Sequence, residues 1–224
     1  MAIELHQFPT GLGMPNISPF CMKLETWLRL AGLAYEIKWQ PDPRKAPVGK
    51  LPMVVSDGET ICDSERIIQR LSQKHGIDLD AELSPQQRAQ AELWEDYADE
   101  LLYWYEVYLR VNDPDALDQA VALSMEGRPA VERLPVKLSL RTMLRISLAG
   151  QGLGRMKRED VHAEFLRQLD RIETLLPATG WLVGENKTIA DIAVGSQLLE
   201  VVRTSPMRRE IEQRPRLWAW LQRI

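Results

Sequence analysis

The sequence predicts an α+β N-terminal domain built on a mixed four-stranded sheet, followed by an all-α C-terminal domain. Three observations carry this expectation. Up to about residue 76 the segments run strand, helix, strand, an irregular stretch, two strands and a helix. From residue 84 onward the apolar residues recur at helical spacings of three and four. Between the two, Gly76 to Ser84 reads as a linker, which divides the chain into residues 1–76 and 84–224.

The first strand is Ile3 to Phe8, ended by Pro9, and a loop of turn formers runs from Thr10 to Asn16. Ser18-Pro19 starts a helix, since Ser caps and Pro is tolerated at the first helical position. Cys21, Leu24, Leu28 and Ala31 form its buried stripe, and Gly32 ends it. Tyr35 to Trp39 alternates as a second strand, and Pro41, Pro43 and Pro47 keep the next stretch irregular. Two short β-rich runs, Pro52 to Ser56 and Glu59 to Cys62, flank Asp57-Gly58 and predict a hairpin. Asp63-Ser64 then opens a helix that buries Ile67, Ile68 and Leu71. A parallel pair joined by a helix, followed by a hairpin, gives the mixed sheet.

In the second part, Ser84-Pro85 opens a long helix bearing Trp94, Tyr97, Leu101, Trp104, Tyr105 and Tyr108. That stripe reads as core and interdomain contact, with one edge, Trp104 and Tyr108, a candidate lining for an apolar pocket. Asn112-Asp113-Pro114 breaks the helix. Glu159 to Leu176 is amphipathic, with Phe165, Leu169, Ile172 and Leu176 aligned. Thr188-Ile-Ala-Asp191 is a capping motif before an apolar helix.

Composition narrows the function classes. The 224 residues are 45% hydrophobic and 27% charged, with a net charge of −4, which gives no global pull toward nucleic acid or an anionic membrane. No apolar run approaches the roughly 20 residues needed to cross a bilayer. Only Cys21 and Cys62 are present, and Met1 to Gly11 has no signal-peptide pattern, so a reducing, cytoplasmic setting is expected. His6, His75 and His162 are isolated, so no metal site is expected. Residues 128–158 hold eight cations, Arg128, Arg133, Lys137, Arg141, Arg145, Arg155, Lys157 and Arg158, against Glu132 alone. This stretch is a candidate surface for an acidic partner, although such charges are more often a solvated face.

Four motifs, in order and spread over nearly the full length, resemble the cytosolic glutathione transferases. Ser18-Pro19-Phe20-Cys21 resembles the family's catalytic loop and first helix. Gly49-Lys50-Leu51-Pro52 resembles the segment before its third strand, whose proline is typically cis. Asp63-Ser64 resembles the acidic-Ser pair that starts its third helix. Gly184 to Asp191 resembles its Gly-x(3)-Thr-x-Ala-Asp folding motif. The resemblance implies a thioredoxin-like N-terminal domain, glutathione as co-substrate, a small apolar electrophile and a homodimer. The run from Ser18 to Arg29 and the stretch Gly152 to Arg155 are closest to the metaxin and failed-axon-connections branch, some members of which serve in transport or interaction.

Glutathione conjugation needs a thiolate near neutral pH, whereas a free thiol titrates at about 8.5. A helix N-terminus and a donating hydroxyl both favour the anion. Ser18 is therefore the candidate catalytic residue, against the simpler reading of a helix cap, and Phe20 beside it is a candidate binding residue. The resemblance implies that Leu51, before Pro52, pairs with the cysteinyl backbone, that Asp63 and Ser64 hold the γ-glutamyl end, and that Lys50 meets the glycine carboxylate. Ser18-Pro19-Phe20-Cys21 also resembles a glutaredoxin Cys-Pro-x-Cys whose first Cys is replaced, so Cys21 is the residue on which thiol–disulfide reduction would have to rest.

Overall fold

The computed structural model describes residues 3–11, 15–125 and 129–224. Four strands, β1 (Ile3–Gln7), β2 (Tyr35–Trp39), β3 (Met53–Ser56) and β4 (Glu59–Cys62), form one sheet in the order β2-β1-β3-β4. β1 and β2 are parallel, and the other two pairs are antiparallel. The crossover from β1 to β2 is helix α1 (Pro19–Leu30), and helix α2 (Ser64–His75) follows β4. The Asp57-Gly58 turn has φ of 53° and 80°, the left-handed pair a tight hairpin requires. α1 ends in a Schellman motif: Gly32 at φ 66° lets Leu33 N–H donate to the Leu28 carbonyl at 3.1 Å and Gly32 N–H to the Arg29 carbonyl at 3.2 Å.

The helical part begins with α3 (Pro85–Asp96), whose cap is reciprocal. Ser84 Oγ accepts from Gln87 N–H at 3.3 Å, and Gln87 Oε1 accepts from Ser84 N–H at 3.0 Å. The long helix expected here carries a wide π-helical turn, Tyr97–Leu102, before it resumes as α4 (Tyr103–Asn112). An extra residue in one turn rotates everything downstream by about 100°. Asp113 is extended before Pro114, and α5 (Pro114–Ser124) and α6 (Arg133–Gln151) follow. The chain closes with α7 (Arg158–Leu175), α8 (Ile189–Thr204), α9 (Arg208–Glu212) and α10 (Pro215–Leu221). Among the described residues no helix is long and apolar enough to cross a membrane.

α8 is buried on nearly every side and joins the two main cores. Ile189, Ala190 and Ile192 pack with Leu5, Leu24, Leu28, Val54, Ile67 and Leu71 of the sheet layer. Ala193, Val194, Leu198 and Val201 pack with Leu102, Phe165, Leu169 and Trp220. Burying one such side chain contributes about 1.5–3 kcal/mol. The start of α8 is fixed by Asp191, which is fully buried. Its carboxylate accepts from Thr188 N–H and Thr188 Oγ1 at 3.0 Å each, Leu182 N–H at 2.9 Å and Trp220 Nε1 at 2.8 Å. One side chain thus ties the 182 loop, the α8 cap and α10 together.

Asp191→Ala leaves these donors buried without an acceptor. It is expected to lower unfolding stability by about 3–5 kcal/mol, read from urea denaturation, while Asp191→Asn, which keeps one acceptor oxygen, costs roughly half as much.

Candidate active site

Sheet register gathers three separate segments at one edge. His6 pairs with Met53, and Met53 pairs with Cys62. The end of β1, the start of β3 and the end of β4 therefore share one side of the sheet. The α1 start, Leu51-Pro52 and Asp63-Ser64 all emerge there. Cys21, Ala46, Leu51 and Met53, with Phe8 and Cys62 against them, form the small apolar cluster beneath this edge.

Ser18 (φ −108°, ψ 124°) caps α1, and Pro19 follows it. Its Oγ accepts from Cys21 N–H at 3.5 Å, a long bond that holds the hydroxyl weakly. Ser18 is 8% exposed, so only an edge of it reaches solvent. Ser18 N–H donates to Asn16 Oδ1 at 3.0 Å, and Asn16 Nδ2 donates to the Phe8 carbonyl at 2.5 Å. The fully buried Asn16 thereby ties the loop before α1 to the end of β1. Cys21 is fully buried. Burial pushes its thiol up to about 12, and hydrogen bonding from Ser18 and the Phe8 backbone only partly opposes this. A thiol so raised favours the protonated form near neutral pH, and its burial keeps it from a partner, which argues for Cys21 as a core residue and against thiol–disulfide chemistry there.

The loop is held from the other layer as well. An Arg110 terminal nitrogen donates to the Ile17 carbonyl at 3.2 Å and lies 2.5 Å from both Glu106 and Glu200. All three side chains are substantially buried. One cation cannot neutralise two carboxylates, so the cluster retains a proton. Burial pushes the Glu106 carboxyl up to about 8, reinforced by Glu200 and opposed by Arg110. Arg110 was not among the residues the sequence singled out.

Leu51 lies just outside β3, and the Leu51–Pro52 peptide is cis. Neither its N–H nor its C=O has a backbone partner among the described residues, so both are open to an added extended chain. Lys50 is exposed. Asp63 is the exposed N-cap of α2 and accepts from Arg66 N–H at 3.2 Å. Its φ of 79° is left-handed, a state that costs a non-glycine residue on the order of 1–3 kcal/mol and persists where surroundings enforce it. Ser64 is 3% exposed, at the first position of the helix. Nearby, the buried Lys23 of α1 pairs with Glu95 and, at 2.5 Å, with Asp99. This edge thus holds two helix N-termini that favour carboxylates, beside a carboxylate excess that favours an ammonium.

Phe20 stacks edge-to-face on Tyr103 at 4.9 Å, and Tyr103 meets Trp104 at 5.3 Å. These three rings make an apolar wall beside Ser18. Tyr103 was missed in the sequence. Tyr108 is not brought to this wall: its ring meets His162 of α7 at 6.5 Å. Of the loop between β1 and α1, residues 12–14 lie outside the described residues. Among the described residues no three His, Cys, Asp or Glu side chains converge as a metal site.

Comparison with known proteins matches the profile "Glutathione S-transferase N-terminal domain" over residues 19–116 and "Glutathione S-transferase, C-terminal domain" over residues 155–223. The isoprene-epoxide–glutathione S-transferase of Rhodococcus sp. (strain AD45) is 31% identical over 223 residues, 96% of this chain and 89% of that protein. Failed axon connections of Drosophila melanogaster is 30% identical over 210 residues, 88% of this chain and half of that protein. Among solved structures, a glutathione transferase from Phanerochaete chrysosporium aligns with a TM-score of 0.68 at 20% identity, covering 100% of this chain and 96% of that one. A glutathione S-transferase from Methylobacterium radiotolerans, in complex with glutathione sulfonate, aligns with 0.63 at 21%, covering 100% and 90%. At these identities the two structures speak to the fold alone.

Two outcomes test this geometry. Cys21 should react with an aromatic disulfide reagent only after unfolding, whereas the half-buried Cys62 reacts in the native protein; rapid native labelling of both would contradict the burial. Glu106 keeps its proton up to about pH 8 when folded, but loses it at about 4.3 when unfolded. The unfolded chain then binds fewer protons, so stability falls as pH rises through that window. Glu106→Gln should flatten that fall by up to about 1.4 kcal/mol per pH unit, measured by urea denaturation at several pH values.

Proposed function

This chain belongs to the glutathione S-transferase family, and from that premise we propose that it conjugates glutathione to a small apolar electrophile, with Ser18 stabilising the thiolate. The observation that carries the reading is the register that brings Ser18, Leu51-Pro52 and Asp63-Ser64 to one sheet edge. Glutathione is an extended peptide with carboxylates at both ends and an ammonium at one. Leu51 N–H and C=O suit its cysteinyl backbone. The α2 start, with Ser64, suits the γ-glutamyl carboxylate, and Asp63 suits the ammonium. Lys50, exposed beyond Leu51, suits the glycine carboxylate.

With the peptide so laid, its sulfur comes to the α1 start. The Ser18 hydroxyl accepts only a long 3.5 Å cap bond from Cys21 N–H and makes one further contact, with the Cys21 thiol, so its proton can be redirected to donate to a bound sulfur. The helix end adds its positive pole. Phe20, Tyr103 and Trp104 offer an apolar surface to the co-substrate; Tyr108, directed toward α7, is assigned a packing role. The relative that acts on isoprene epoxide suggests a small alkene epoxide. The thiolate sulfur then bonds to an epoxide carbon, that C–O bond breaks, and the alkoxide takes a proton from water. A cytoplasmic setting and a homodimer complete the reading. A second reading, a non-catalytic member acting in protein interaction or transport, draws on the 8% exposure of Ser18 and on the match to Failed axon connections.

Calorimetric titration with glutathione, followed by conjugation assays with an alkyl epoxide, separates the two. Millimolar glutathione is expected to bind. Ser18→Ala should retain most of that binding while lowering kcat/KM roughly 10- to 100-fold, the worth of a hydrogen bond to a charged group, and should move the pH–rate profile to higher pH. Absence of glutathione binding favours the non-catalytic reading, and full activity of Ser18→Ala removes the role given to Ser18.

A further inference from the structure

The two family profiles leave residues 117–154 unmatched between them. That interval holds most of α5 and all of α6, and with them most of the basic stretch, of which Arg128 lies outside the described residues. α6 is anchored on one side. Val136 and Leu140 pack on Leu117, Val121 and Met125, Leu144 packs on the main core, and Leu148 is buried. The other side is unpartnered. Leu134, Leu138, Met143 and Ile146 are 63%, 55%, 54% and 68% exposed, and Val131 just before the helix is 81% exposed. Single exposed aliphatic residues are ordinary; five between Val131 and Ile146, spread over the solvent-facing half of the helix and the turn before it, are not.

The same helix carries Arg133, Lys137, Arg141 and Arg145 and no acidic residue, in a chain whose net charge is −4. Lys137 pairs with Asp118. The other three make no ion pair among the described residues. Exposed aliphatic side chains bordered by the exposed Arg133 and Arg145, with Arg141 half-buried at the margin, fit an anionic bilayer surface, where the aliphatics enter the acyl boundary and the guanidinium groups meet head groups. Other occupants fit less well. A second copy docked face to face would oppose arginine with arginine. The aliphatic side chains have no counterpart on a nucleic-acid backbone. A single helix offers no groove to an acidic peptide. We propose that the outward face of α6 is a peripheral docking surface for anionic lipid, reversible and without a spanning segment. It is independent of the site at Ser18.

The test is co-sedimentation of the full chain with vesicles of phosphatidylcholine, with and without 30% phosphatidylserine. Binding is expected only to the anionic vesicles, weakening with salt. The double variant Arg133→Gln, Arg145→Gln should lower partitioning roughly 30-fold, at about 1 kcal/mol for each cation near the surface. Leu138→Ser with Ile146→Ser should also reduce it, about tenfold or more. Both pairs are exposed, so thermal melts should match the parent and show that the fold is intact. Equal binding to neutral vesicles, no binding to either, or indifference to both variants would overturn the proposal. So would concentration-dependent self-association abolished by Leu138→Ser, which would assign the face to a second copy. Binding to polyglutamate with no binding to vesicles would assign it to an acidic protein.

Discussion

Four hydrogen bonds to one buried carboxylate govern this architecture. Asp191 is inaccessible to water and lies at the start of α8, where the helix dipole favours an anion. A buried carboxylate is tolerated only when its acceptor sites are filled. The loop at Leu182, the cap at Thr188 and the indole of Trp220 fill them. α8 then lies between the sheet layer and the outer helices and supplies side chains to both cores. The relative placement of the two layers, and so the surroundings of Ser18, descends from this one helix start.

Between the two layers, polar residues of α3, the π-helical turn and α4 do the holding. Glu95, Asp99, Tyr103 and Arg110 recur along one side of the kinked rod and reach α1 or the loop before it. The rotation introduced at Tyr97–Leu102 is part of why that side faces the sheet layer. Desolvating these groups is costly, and the structure offsets it by pairing cations with carboxylates and by leaving Glu106 protonated. The Ser18 segment is thus fixed from below by Asn16 and from the side by Arg110.

Much of the fold was legible in the sequence because its signals are local. Ser-Pro starts, glycines after helix ends, an Asp-Gly turn and the Thr188–Asp191 cap each dictate backbone geometry without reference to distant residues. Ser18, Leu51 and Asp63 were legible for the same reason, each lying at an element boundary. What escaped was long-range. Tyr103 and Arg110 sit beside the apolar stripe, in positions that a single helix read alone assigns to solvent. Only a second layer turns that face inward. Tyr108 shows the same dependence on distant neighbours: one helical stripe meets different partners along its length, and this end meets α7. The basic stretch was visible as composition, but the exposure of its aliphatic side chains depends on which face α5 covers.

The burial of Cys21 has a consequence for durability. A pocket that receives a thiol one helical turn from its own cysteine would ordinarily invite a mixed disulfide, and under oxidising stress would lock itself shut. Here the neighbouring sulfur stays protonated and sealed under the sheet edge. A thiol bound beside Ser18 would meet a polar hydroxyl, and Cys21 would offer it no exposed sulfur with which to exchange. On the proposed function, the burial of Cys21 would spare the site a mixed disulfide at the position nearest the helix start.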